Sequence, residues 1–170
     1  VDADGEDFAK FVDQRQRSLL RSAWLLTGDW GLAEDLVQTA LARTWLRWGR
    51  VRRRDDPEIY VRRVMLSTWL NWSRRKWRGE RPGEHLPDGP APGDLASEAV
   101  VRVAVRGALG ELTDRQRAVL VLRIFDDLTE AQTAQVLGCA VGTVKSTMSQ
   151  ALAKLRADGR LAEVPERENR

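Results

Sequence analysis

The chain of 170 residues is poor in the side chains that most metal and redox chemistry requires. Cys139 is its only cysteine and His85 its only histidine. A lone thiol excludes an intrachain disulfide and a cysteine cluster for a structural metal. With the single imidazole set in a Pro/Gly-rich stretch, neither a zinc site nor a Cys-His nucleophile pair is expected. Cys139 reads instead as a small buried apolar group in a turn. No apolar run approaches the length of about 18 residues that a membrane-spanning helix needs, and the opening VDADGEDFAK is not a signal peptide. The chain opens on Val1 rather than on Met, which leaves room for residues ahead of it. A phosphate loop, a paired acid/base constellation and a metal cluster are all missing from the sequence. The expectation is a cytoplasmic protein that is not an enzyme, with no cofactor and no membrane segment.

What the chain does have is unevenly placed charge. Its formal net charge is only +3. Between Arg43 and Arg78, however, twelve arginine and lysine side chains meet only Asp55, Asp56 and Glu58, a local surplus of nine. So concentrated a field suits a polyanion. A hydrophobic content of 42% is sufficient for folded cores.

Taken in order, Phe8, Phe11, Val12, Leu19, Leu20 and Leu26 recur at helical spacing, and the helix ends at Thr27-Gly28, where Gly28 suits a C-terminal cap. Asp29 is placed to cap a second helix, whose apolar stripe is Val37, Leu41, Trp45 and Trp48, with Glu34, Asp35 and Gln38 on a polar face. Arg50 to Asp56 reads as a charged loop. Asp56-Pro57-Glu58 then gives an N-cap, an N1 proline and an acidic first turn. The helix it starts runs to about Arg78 with Val61, Val64, Met65, Thr68 and Trp72 as its core stripe. The rest of that helix mixes Trp69, Asn71, Ser73, Arg74, Arg75, Lys76 and Trp77. Aromatic, amide and cationic groups in one segment suit single-stranded nucleic acid, where bases stack on rings and cations hold phosphates. Trp69 and Trp77 fit base stacking and core packing equally well.

From Gly79 to Asp94 the sequence GERPGEHLPDGPAPGD carries four prolines and four glycines and loses all periodicity. It reads as a flexible, partly extended linker between two domains. Leu95 to Leu109 follows as a helix with Ala99, Val103 and Ala104 facing inward.

Two capping boxes come next, Thr113 with Gln116 and Thr129 with Gln132. The short helix after Thr129 stops at Leu137-Gly138, and a longer one spans about Val141 to Arg156. Short helix, glycine turn and longer helix outline a helix-turn-helix. In the last helix Val144, Met148, Leu152 and Leu155 form one stripe beside Ala151. Thr143, Ser146, Ser149, Gln150 and Ala153 form the opposite face, with Lys145 at its edge. That small polar face suits a DNA major groove.

Three segments, in order and at fitting spacing, carry a resemblance: Leu25–Trp45, Asp56–Arg78 and Leu112–Arg156. Together they resemble the extracytoplasmic-function (ECF) sigma factors of RNA polymerase, and among these an actinobacterial sigma-E-like subgroup. The resemblance implies an all-α protein of two small helical domains joined by the linker. Residues 1–78 would be the region 2 domain, 79–95 the linker, 96–160 the region 4 domain with the helix-turn-helix, and 161–170 a tail. It further implies a sigma factor that binds core polymerase and directs promoter-specific initiation. Leu32, Asp35, Leu36 and Gln38 would dock on the clamp helices of the largest core subunit. Arg62, Arg63, Ser67, Trp69, Asn71, Arg74 and Arg75 would read and melt the minus-ten element. Thr143, Lys145, Ser146, Ser149 and Gln150 would read the minus-thirty-five element. Promoter DNA and core polymerase are the implied partners, and an anti-sigma protein is a further candidate. The alternative is a stand-alone helix-turn-helix regulator of duplex DNA, which leaves the first domain without a role.

The chain also departs from the pattern. Thr147 and Gln150 stand where arginine is frequent, Ser67 where asparagine is frequent, Thr39 where an acid is common, and Ala140 where serine usually caps the recognition helix. Fewer cations on the last helix mean fewer phosphate anchors and a flatter salt dependence.

Overall fold

The computed structural model describes residues 3–77 and 96–159, and every regular element among them is helical. The expected linker, His85, Arg78, and the tail from 161 lie outside the described residues. Eight helices follow one another: α1 (Ala3–Thr27), α2 (Trp30–Trp45), α3 (Trp48–Arg54), α4 (Pro57–Trp77), α5 (Ala96–Gly110), α6 (Asp114–Leu120), α7 (Glu130–Leu137) and α8 (Val141–Ala157). A π-helical turn, Val121–Phe125, continues α6.

Local chemistry sets most of the boundaries. Gly28 ends α1 at φ 71°, a left-handed conformation that costs an L side chain energy but glycine little. Asp29 begins α2, its Oδ1 accepting from the Leu32 amide at 2.8 Å. Asp56 does the same for α4, accepting from the Glu58 amide at 2.9 Å. Both capping boxes form in full at Thr113 and Thr129, and Gly138 closes α7 at φ 65°.

α1, α2 and α4 pack into an N-terminal bundle around Leu19, Leu26, Leu36, Val61, Met65 and Leu66. Fully burying each such side chain is worth about 1.5–3 kcal/mol. Trp24 and Trp30 stack across the α1–α2 joint, their ring centres 5.4 Å apart. α5 to α8 form a C-terminal bundle. The core continues without a break from one bundle into the other, through Leu109, Leu112, Leu120, Val121, Leu122 and Val136.

Three sequence expectations are corrected here. Trp48–Arg54 is a helix and not a loop: Trp48 and Val51 are buried, Trp48 packs against Phe8 and Phe11, and Arg52 reaches Asp4 of α1 at 2.6 Å. Trp45 is 42% exposed rather than buried, its ring packed against Phe8, because α2 ends there and the stripe expected to run on to Trp48 is broken by a new helix. Val103 faces outward at 72% exposure, since α5 turns Val105, Ala108 and Leu109 to the core instead.

Candidate nucleic-acid interface

The last helix presents the polar face that its periodicity predicts. Val144, Thr147 and Ala151 are buried, and Met148, Leu152 and Leu155 pack beside them. Lys145, Ser146, Ser149 and Gln150 are exposed, and Thr143 is half-buried at the start of the same face. Ser146 donates to the Thr143 carbonyl at 3.1 Å. Lys145 Nζ lies 3.7 Å from Glu130 Oε2 of α7, a loose pairing of exposed groups. Ala140 holds the extended backbone of an N-cap but offers no side-chain hydrogen bond. Thr147, one of the departures, is buried against the bundle and adds nothing to the polar face. Cys139 is half-buried beside Val119, Ala134 and Val144.

On α4 the seven residues that the resemblance groups together separate into two sets. Arg63, Ser67, Asn71, Arg74 and Arg75 are exposed. Arg62 and Trp69 are not. Trp69 is 7% exposed and belongs to the core, because Met65, Leu66 and Trp69 share the inward stripe. The expectation that its ring stacks on a base is therefore corrected: it supports the helix from beneath. The side chain of Trp77 lies outside the described residues. Trp72 packs against the core as its stripe position requires.

Arg62 is buried by the C-terminal bundle. Its Nη1 lies 2.7 Å from Asp126 Oδ2, with the two side chains 2% and 1% exposed. Its Nη2 donates to Glu58 Oε1 at 3.1 Å, and Glu58 in turn pairs with Arg15. Ser22 donates to Asp126 Oδ1 and accepts from Arg62 Nη1 at 3.3 Å. Burial raises the Asp126 carboxyl above its ordinary value, against the pull of Arg62 and Ser22. An Arg62 presented to DNA is thus not what this arrangement contains. Nothing in the residues around Arg62 signals Asp126, which lies far along the chain.

Other polar contacts join the same two bundles. Arg63 donates to the Gln135 carbonyl at 3.3 Å, Ser73 to Asp114 at 2.5 Å, and Arg21 to the Phe125 carbonyl at 3.0 Å. Arg117 Nε donates to the Leu25 carbonyl at 2.6 Å. Burial lowers the Arg117 guanidinium to about 10, with Asp114 opposing and Arg106 adding to the shift, so it is still a cation at neutral pH.

On α2, Asp35 and Gln38 are exposed and Leu32 is half-buried. Leu36 is wholly buried. Ala33, Leu36, Val37 and Ala40 form the inward stripe of α2, so Leu36 shapes that surface from beneath and has no exposed side chain to offer a partner. One cationic feature was missed among the sequence-predicted sites. Arg50, Arg53 and Arg54 of α3 line an open cavity of about 660 Å³. Their signal was the basic run itself, but a loop reading gave them no common face.

Comparison with known proteins fits this geometry. Residues 11–79 match the family model for Sigma-70 region 2 and residues 102–155 that for Sigma-70, region 4. These two regions define the class as sigma factors. The chain is 40% identical over 152 residues to the RNA polymerase sigma-E factor of Streptomyces coelicolor, covering 89% of this chain and 85% of that protein. It is 31% identical over 158 residues to the ECF RNA polymerase sigma factor SigL of Mycobacterium tuberculosis, covering 85% and 84%. Among solved structures, the sigma factor RpoE in complex with the anti-sigma factor NepR from Bartonella quintana shares the fold. Its TM-score is 0.74 at 23% identity, covering 94% of this chain and 99% of that one. The chain belongs to the extracytoplasmic-function RNA polymerase sigma factors. It binds core polymerase and promoter DNA and directs promoter-specific initiation. No described helix is long and apolar enough to cross a membrane.

Proposed function

We propose that promoter recognition is divided between two surfaces of this chain. α8 reads the minus-thirty-five duplex through Thr143, Lys145, Ser146, Ser149 and Gln150. α4 contacts the minus-ten strand through Arg63, Ser67, Asn71, Arg74 and Arg75, with Arg62 joining them only when the bundles part. Trp69 sets the position of α4 without touching DNA. Asp35 and Gln38, on the exposed side of α2, dock on the clamp helices of the largest polymerase subunit, with Leu32 at their edge. The domains are residues 1–78 and 96–160, with 79–95 as linker and 161–170 as tail.

The observation that carries this reading is the sidedness of α8. Its buried Val144, Thr147 and Ala151 fix the helix against α6 and α7, leaving the small polar side chains outward as a group. Small donors and acceptors on a rigid helix are what base-edge recognition in a major groove requires. The chain acts by positioning polymerase and performs no covalent step of its own. It works in the cytoplasm, where polymerase and promoter are. An anti-sigma protein is a candidate partner, since the sigma factor RpoE, which shares the fold, was solved in complex with the anti-sigma factor NepR.

Retention of core polymerase by the immobilised chain, compared with Asp35→Arg, tests the docking surface. The charge reversal is expected to reduce retention at least tenfold while leaving duplex binding unchanged. Equal retention would remove Asp35 from the interface.

A further inference from the structure

The buried contact at Arg62 is placed where a nucleic-acid contact would be. A guanidinium on the proposed strand-reading helix is matched by a carboxylate from the C-terminal bundle, at 2.7 Å and out of water. Carboxylate and phosphate offer arginine the same anionic oxygens. We propose that Asp126 is an internal competitor for DNA: it occupies the anion site of Arg62 in the free chain and must leave before α4 can engage the promoter strand. This rests on the assignment of α4 as the strand reader.

Two independent features support it. The first is the backbone that delivers Asp126. α6 widens into the π turn Val121–Phe125, and the Asp126 amide donates to the Val121 carbonyl at 3.0 Å. Asp127 then adopts φ 52°, the one non-glycine left-handed residue among those described. Two local departures from regular helix flank the carboxylate, and π turns occur frequently at functional sites. A plain continuation of α6 would aim residue 126 elsewhere.

The second is that the contact is incompletely satisfied. Arg62 Nε and Asp126 Oδ2 are buried without a hydrogen-bond partner, although the charges themselves are in contact. The short N–O distance makes an ion pair, but its angles do not make a directed hydrogen bond. Burial also works against the ionised form of Asp126. Buried ion pairs repay their desolvation only when fully bonded, and this one is not. It fixes which surfaces meet, yet a competing phosphate with solvent access can displace it. Closure occupies Arg63 and Ser73 of the same helix as well, through Gln135 and Asp114. A chain that must open first binds with an apparent affinity reduced by the open fraction.

The test uses the full chain with spin labels at Gln14→Cys and Gln135→Cys in a Cys139→Ser background, and a fluorescent single-stranded 20-nucleotide probe of random sequence. The native chain is expected to show one narrow interbundle distance, which lengthens and broadens as the probe is added. Asp126→Ala leaves Arg62 with Glu58 as its one charged partner and the Ser22 hydroxyl as a neutral one. It is expected to show the broad distance without DNA and to bind the probe on the order of tenfold more tightly. Asp13→Ala, which removes an exposed acid, controls for net charge and should change neither readout. An unchanged distance in Asp126→Ala, or DNA binding by the native chain with no change in distance, would overturn the proposal. So would an opened Asp126→Ala chain whose affinity is no better than that of Asp13→Ala. The native-chain titration does not depend on whether the variant folds. The sigma-factor assignment is tested separately by promoter-directed transcription, which does not require that the free chain be closed.

Discussion

Arg117 of α6 donates from Nε to the carbonyl oxygen of Leu25 at 2.6 Å, tying the second bundle to the end of α1. That carbonyl lies in the last turn of α1, where no amide further along the helix can reach it and the helix dipole favours a cation. The Arg117→Leu variant keeps apolar bulk but leaves the carbonyl unpaired. It is expected to lose about 1–3 kcal/mol, measured as a fall in the urea midpoint at unchanged slope. An unchanged midpoint would mean that water replaces the guanidinium without cost.

Gly28 adjoins the same contact. Its φ of 71° and the Arg106 Nε lying 3.3 Å from where a Cβ would stand leave no comfortable place for a side chain. Left-handed backbone costs an L residue roughly 1–2 kcal/mol, so Gly28→Ala should lower the melting temperature by several degrees. A melting temperature equal to that of the native chain would refute the strain.

The caps of the helix-turn-helix make a matched pair of predictions. Thr129→Ala removes a formed capping box and should cost about 1 kcal/mol, whereas Ala140→Ser supplies a missing cap and should gain a similar amount. Thermal denaturation of the two variants reads both signs. If Ala140→Ser is neutral, the start of α8 is already satisfied by other means.

These caps were legible because they depend on residues three apart. So were the faces of α8, the glycine stops and the helical class, since periodicity and capping are properties of short windows. What sequence reading missed depends on contacts between distant segments. α3 forms because Trp48 and Arg52 find Phe8 and Asp4 on α1. Arg62 reads as one more surface cation until Asp126 covers it. Trp69 and Leu36 each lie beside residues of both faces, and only the packing of α1, α2 and α4 decides that they point inward. Val103 shows the limit of the periodic argument itself, because a small error in phase moves a valine from core to solvent.

On the recognition face, two substitutions should separate anchoring from reading. Lys145→Ala should weaken duplex binding for all sequences and reduce the salt slope by about 1. Gln150→Ala should leave that slope alone and relax base preference by about 1–3 kcal/mol at one position. Fluorescence anisotropy against salt, with a panel of single-base duplex variants, distinguishes them. Identical behaviour of both variants would show that α8 does not lie in the groove as described.

Promoter-directed transcription by purified core polymerase tests the account most directly. With the chain added, runoff synthesis from a library of genomic fragments is expected to begin at discrete sites sharing two spaced elements. Asp35→Arg should abolish it and Lys145→Ala weaken it. The absence of site-specific initiation on every fragment, with core polymerase active on a control template, would contradict the assignment.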